Sequence, residues 1–340
     1  MELGTQIKTL RLQRGVTQEV LAEQLGVSPQ AVSKWEREAA LPDIQLLPAI
    51  SAYFGVTIDA LFALSDETRM ERIQNMLWDE RALDPAVVEV DRAFLLEKAR
   101  REPDNGRPHE LLADLENHLA DEHRARAAQY ARESLARDPM SKSAHDELVH
   151  AMGGRLADWC YTNHRELIRW YEGFLEKNPD CRGGYMWLLD QLIDDGRLEE
   201  AKAWLGRMEP VDGTFRTPLY RGLIAQAAGD REGAMAIWEQ MCRDWPGEWS
   251  VWWSMGDVMA RAGRYGEAKE NYRRAFELQP EPKYVDSLES IAQVCQLEGD
   301  IPGAVAALEE EVAVLAEQWD TRTGETVDKV RREINRLKAL

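Results

Sequence analysis

Four glycines, Gly196, Gly229, Gly263 and Gly299, recur at nearly constant spacing in this 340-residue chain. Each is followed five residues later by an alanine: Ala201, Ala234, Ala268 and Ala304. From about residue 85 onward, prolines at 103, 139, 179, 210, 246 and 280 keep a similar step, separated by 36, 40, 31, 36 and 34 residues. A period near 34 residues with helical apolar spacing signals stacked helix pairs, none of which can bury its apolar face alone. Small residues let the helices of a pair approach closely, aromatic side chains fill the gaps between pairs, and proline ends the second helix. No segment alternates apolar and polar residues as a half-buried strand would, so the whole chain is expected to be all-α.

The N-terminal segment carries a different pattern. Thr17 is placed to cap a helix bearing Leu21 and Leu25 on one face, and Gly26 stands where that helix must stop and the chain reverse. Ser28 caps a second helix with Pro29 at its first position, where the missing N–H does no harm. With Val32 pointing inward, about 100° per residue puts Trp35 roughly 60° away, beside the core. Gln30, Lys34 and Arg37 fall roughly 140–200° away, in solvent, with Ser33 on the flank. Glutamine can bond adenine edges bidentately, lysine reaches guanine, and serine serves either. An ordinary amphipathic helix also has a polar face, but the capped pair and its short turn favour a DNA-reading helix-turn-helix.

Residues 4–64 resemble the Xre type of DNA-binding domain, the five-helix lambda-repressor-like fold of phage repressors and Cro proteins. The likeness rests on Ile7-Lys8-x-x-Arg11, Thr17-Gln18-x-x-Leu21-Ala22, Gly26-Val27-Ser28, Val32-Ser33-Lys34-Trp35-Glu36, Leu41-Pro42-Asp43 and Phe54-Gly55-Val56. The resemblance implies that Gln18 binds a phosphate and braces the reading helix, and that Gln30, Ser33 and Lys34 occupy base-reading positions. Ser28, Ala31 and Arg37 complete the expected DNA-binding set. Pro29 stands where some relatives place a base-reading glutamine. Arg11 and Glu36 match a structural ion pair, which takes Arg11 out of the DNA contacts. Glu38 and Ala39 replace the family's usual glycine and basic residue, removing an easy left-handed helix stop and placing a negative charge near the phosphates.

The repeats resemble the tetratricopeptide (TPR) consensus. Trp252, Met255, Gly256, Met259, Ala268, Tyr272, Ala275 and Pro280 carry the match, with Gly222, Ala234, Trp238 and Pro246 as a second copy. Copies before residue 180 are TPR-like by continuation. In such solenoids the first helix of each pair lines the concave face. The register then puts Met186, Asp190, Leu219, Leu223, Gln226, Trp253, Asp257 and Gln293 there, a mixed apolar and acidic set suited to an apolar or cationic ligand, with a peptide, a small molecule or a protein partner as the candidates. The asparagines with which peptide-sensing regulators of this architecture grip a peptide backbone are not evident at these positions. Of the twelve tryptophans, Trp238 and Trp252 hold consensus packing positions, whereas Trp187 and Trp204 fit either core or groove.

The net charge of −19 is unevenly spread. Residues 1–64 hold five basic against seven acidic residues, so the remainder carries −17. Counterion release supplies most non-specific affinity, so a near-neutral head binds random DNA weakly and the acidic remainder stays off both DNA and membrane. Every apolar run is short and interrupted by charge, and Cys160, Cys181, Cys242 and Cys295 form no CxxC pair; both fit a reduced, cytoplasmic protein. His145 and His150 are five apart, about 140° of helix, and cannot chelate one zinc from the same face. Cys160 and His164 supply only two ligands. No metal, cofactor or catalytic residue is expected.

These readings divide the chain into a DNA-binding domain (1–64), a helical linker (65–84), TPR-like repeats (85–319) and a C-terminal capping or dimerisation helix (320–340). The linker's Arg69–Trp78 stretch is amphipathic, with Ile73, Met76 and Leu77 on one face. The expected protein is a bacterial-type transcription regulator that binds a palindromic operator in double-stranded DNA as a homodimer. Its candidate dimer surfaces are the repeats and the helix carrying Val327, Val330, Ile334 and Leu337. The competing expectation is a TPR interaction scaffold whose helix-turn-helix is weak on DNA.

Overall fold

The computed structural model describes residues 3–56, 58–62, 66–155 and 159–340, and all regular structure among them is helical. The expected boundary at residues 64 and 65 lies outside the described residues. By mutual packing the chain divides into two compact units, Met1–His123 and Arg124–Leu340.

The first unit opens with α1 (Leu3–Gln13), α2 (Gln18–Leu25), α3 (Pro29–Glu36), α4 (Leu47–Phe54) and α5 (Ile58–Leu61). Ile7, Leu21, Val32, Ile50 and Leu61 are fully buried at their centre. Then come α6 (Asp66–Asp79), α7 (Pro85–Arg101) and α8 (Arg107–Leu135), the last of which runs across the unit boundary. At the position read as a connector, α6 has a core of its own, in which Met70 and Ile73 pack with Leu95 of α7 and Leu111 of α8. Lys98 ties the start of α6 to the end of α7, donating to Asp66 (3.1 Å) and Glu102 (2.6 Å).

The second unit continues through α9 (Lys142–Ala151), α10 (Trp159–Thr162) and α11 (Arg165–Lys177). Four hairpins follow: α12 (Arg182–Asp194) with α13 (Leu198–Met208), α14 (Arg216–Ala227) with α15 (Arg231–Asp244), α16 (Trp249–Arg261) with α17 (Tyr265–Leu278), and α18 (Asp286–Glu298) with α19 (Ile301–Gln318). The periodic glycines are their turns. Gly196, Gly229, Gly263 and Gly299 have φ of 69°, 91°, 73° and 78°, a left-handed step that an L side chain resists. The four periodic alanines are completely buried one turn into each second helix.

α20 (Glu325–Lys338) closes the array. Val327, Val330, Ile334 and Leu337, expected as a dimer surface, are buried in the chain's own fold, most of them in the core that the last three hairpins share. A solenoid must cover its last apolar face, and this helix spends its apolar stripe doing so. That stripe is therefore not available to a second copy.

Candidate functional site

The helix-turn-helix forms as the residues dictate. Thr17 Oγ1 accepts from the Val20 N–H (3.4 Å), Gly26 ends α2 at φ 66°, and Ser28 Oγ accepts from the Ala31 N–H (3.2 Å) at the start of α3. The angle of α3 is fixed from behind by Glu36. Its carboxylate accepts from Arg11 Nε (2.5 Å) and a terminal guanidinium nitrogen (3.0 Å), and from Gln18 Nε2 (2.7 Å). Arg11 also donates to the Val16 carbonyl (2.7 Å). Burial alone would raise the Glu36 pKa, but the hydrogen bonds from Arg11 and Gln18 outweigh it and hold the carboxyl below its ordinary range.

On the opposite side of α3, Gln30 and Lys34 are exposed, as is the capping residue Arg37; Ala31 and Ser33 are half-buried and Ser28 is exposed at the N-terminus. Arg37 Nε donates back to the Ser33 carbonyl (3.1 Å), which lays its guanidinium along the helix. Gln18 is half-buried, its amide nitrogen engaged in bracing. Glu38 follows at φ 57°, and its carboxylate accepts from Thr5 Oγ1 (3.2 Å), which fastens it to the start of α1.

In the second unit, the first helices of three successive hairpins, α12, α14 and α16, enclose a groove of about 710 Å³. Seven of the eight residues expected on the concave face line it: Met186, Asp190, Leu219, Leu223, Gln226, Trp253 and Asp257. Both aspartates are held by tyrosines. Tyr220 donates to Asp190 Oδ1 (2.8 Å) and Tyr272 to Asp257 Oδ1 (2.6 Å). The groove walls remove water from both carboxyls and push them up from the ordinary aspartate value, Asp190 even though it is open to the groove. The phenols of Tyr220 and Tyr272 are likewise pushed up by burial and by the acids they face. Trp253 Nε1 is buried without a hydrogen-bond partner.

Residues 7–61 match the helix-turn-helix family model and residues 249–282 the tetratricopeptide repeat model. The chain joins an Xre-type helix-turn-helix domain to a tetratricopeptide-repeat domain. Over 75 residues it is 40% identical to the HTH-type transcriptional activator BcrR of Enterococcus faecalis, covering 22% of this chain and 37% of that protein. It thus spans little more than a third of the curated relative it matches. Among solved structures, a tetratricopeptide repeat protein from Parabacteroides merdae is similar at TM-score 0.39 and 13% identity, covering 81% of this chain and 99% of that one. Bacillus thuringiensis PlcR, crystallised with the peptide PapR7 and DNA, is similar at TM-score 0.30 and 11% identity, covering 99% and 98%. Likenesses this low carry no functional conclusion.

The register argument missed nine of the sixteen residues that line the groove of this helix-turn-helix–TPR protein, two of them arginines. Arg216 opens α14 and Arg261 ends α16, and both line the groove. The available signal was local: Arg261 lies four residues after Asp257, on the same face of the helix. Gln293 is the exception in the other direction. It stands six residues before Gly299, as Asp257 does before Gly263, yet it is exposed and lies outside the groove, whose last wall is α16. Trp204 is core, buried beneath Arg207, whereas Trp187 is more than half exposed.

Among the described residues, His164, Asp194 and Asp195 come close enough together to hold a cation. Their geometry is that of a helix cap. Asp195 accepts from the His164 N–H (3.0 Å) and contacts its Nδ1 (2.8 Å) at the start of α11, so its oxygens are already used. Cys160 is exposed and is not part of the group.

Proposed function

We propose that the chain is a cytoplasmic, sequence-specific transcription regulator that reads DNA with α3 and senses a ligand in the α12–α14–α16 groove. The observation that carries the DNA reading is the division of labour on α3. Its inner face is locked by the Arg11–Glu36–Gln18 cluster, while Gln30, Ser33 and Lys34 stay available on the other side. One such head grips a single half-site, so a dimer on two half-sites about 34–36 Å apart is the expected complex. With few basic residues in the head, phosphate contacts come largely from helix N-termini and polar side chains such as Ser28. The groove offers apolar walls, three aspartates, two arginines and an unpaired indole N–H, which suits a ligand with both charged and apolar parts.

Selection of genomic fragments by the purified protein at moderate salt tests the reading. Enrichment of one inverted repeat, lost on Gln30→Ala with Lys34→Ala, is the expected result; indifference to the double substitution rules out α3 as the reader. The head's near-neutral charge favours a second reading, an interaction scaffold that does not use DNA. Random fragment recovery is the outcome that supports it.

A further inference from the structure

The charged groups of the α12–α14–α16 groove are kept from one another. Asp190 and Asp257 each give only Oδ1 to a tyrosine; among the described residues, nothing reaches Oδ2 of either. Asp194, the third acid, stands 3.8 Å from His164 Nδ1. Arg216 lies over the ring of its neighbour Phe215 (5.3 Å), and neither it nor Arg261 forms an ion pair among the described residues. The chain has 61 acidic against 42 basic residues, so a basic side chain has acids in excess to pair with. These two arginines share a groove with three acids and stay unpaired.

One acid and one arginine stand close enough to act together. The Tyr220 hydroxyl donates to Asp190 Oδ1 at 2.8 Å, and Arg216 lies one turn before Tyr220 on the same face of α14. Asp190 is open to the groove, and both Arg216 and Arg261 act on its carboxyl from a distance without offsetting its desolvation. Such a carboxyl lacks a cation in contact. A half-buried guanidinium such as that of Arg216 lacks a carboxylate, which it would match with two parallel hydrogen bonds. A purely cationic ligand would leave the arginines unpaired, and a purely anionic one would face the aspartates. A ligand with an ammonium and a carboxylate close together satisfies both sides. Met186, Leu219 and Leu223, half-buried in the same walls, offer apolar surface to the rest of it.

We propose that the groove takes a free α-amino acid with an apolar side chain, its ammonium on Asp190 and its carboxylate on Arg216, with Arg261 adding attraction at longer range. The assignment rests on the reading of this groove as the ligand site and names the class of ligand. Calorimetric titration of the full chain with L-phenylalanine, N-acetyl-L-phenylalanine and L-phenylalaninamide tests it. The free amino acid is expected to bind, and blocking either end to weaken binding roughly tenfold or more. The variants cross with the blocks. Asp190→Asn weakens the free amino acid by a similar factor and leaves the N-acetyl form unchanged, and Arg216→Gln weakens the free amino acid and leaves the amide unchanged. A loss through misfolding would instead weaken every form alike. Blocked forms that bind as tightly as the free amino acid, variants that weaken all forms equally, or no binding of any form overturns the proposal. Leu223→Trp, which fills the groove, separates this failure from that of the groove itself. Binding indifferent to both charge variants but lost in Leu223→Trp sinks only the amino-acid assignment; binding indifferent to Leu223→Trp as well sinks the groove as the ligand site.

Discussion

Gly256 of α16 lies against the ring of Tyr272 of α17, so closely that a Cβ on the glycine would stand 2.4 Å from two ring carbons. Tyr272 cannot swing aside freely, because its hydroxyl donates to Asp257 at 2.6 Å. Gly256→Ala is therefore expected to destabilise the array by about 1–2 kcal/mol, overpacking outweighing the helix propensity gained. Gly206 in α13 is the control: a Cβ there meets nothing within 4 Å. Gly206→Ala should stabilise by about 0.5–1 kcal/mol. Urea midpoints of both variants decide; two changes of the same sign would show that the Tyr272 contact is not what keeps position 256 as glycine.

That contact also marks how far the sequence could be read. Gly222 and Gly256 were legible as consensus small residues, because close approach within a hairpin is a local, periodic requirement; the rings they face, Trp238 and Tyr272, are known from the structure. The caps at Thr17 and Ser28 and the Arg11–Glu36 pair were legible for the same reason: each depends on a short stretch of helix whose rotation is known. What depends on where an array bends or stops was not legible. Gln293 keeps the register but misses the groove, and the apolar stripe of α20 reads equally well as a dimer seam or as a cap. Arg216 and Arg261 were missed because they lie at helix ends, where consensus positions say nothing.

Glu38 holds φ 57° with a full side chain, which costs a non-glycine residue about 1–2 kcal/mol. Its compensation is one exposed hydrogen bond from Thr5. Glu38→Gly should raise stability by about 0.5–1 kcal/mol. It should also tighten DNA binding by removing an acidic group beside the reading helix. Glu38→Asn, which tolerates the left-handed region, separates the two effects by removing the charge while keeping a side chain. Equal stability of wild type and Glu38→Gly would mean that the Thr5 contact fully offsets the backbone strain.

Glu36 has only 2% of its side chain exposed and Arg11 only 10%, so neither charge can be solvated if its partner is removed. Arg11→Ala should cost about 3–5 kcal/mol, most of it the uncompensated Glu36 carboxylate. Arg11→Met with Glu36→Leu should recover much of that loss, since it leaves no orphaned charge. Hydrogen exchange of the α1–α3 amides in the full chain reads the effect locally. Equal losses in the single and double variants would show that Gln18 and packing, rather than the ion pair, hold α3.

Glu311 on α19 is completely buried, and neither carboxyl oxygen has a hydrogen-bond partner. Desolvation, aided by Glu289 and Asp286 on α18 and opposed by Lys329 on α20, pushes its pKa from 4.5 up to about 8. The folded chain therefore keeps a proton at neutral pH that the unfolded chain releases. The unfolded state binds fewer protons between these two values, so stability must fall as pH rises across that window. The stability is fully present below about pH 4.5 and lost as pH passes through the folded value of about 8. The total is on the order of a few kcal/mol, because each tenfold difference in proton affinity between the folded and unfolded chain is worth about 1.4 kcal/mol. Glu311→Gln keeps the shape and carries no titrating proton, so it should flatten the melting temperature between pH 6 and 8.5, while the wild type declines. Parallel declines in the two proteins would assign the pH dependence to other groups and leave Glu311 without a part in it.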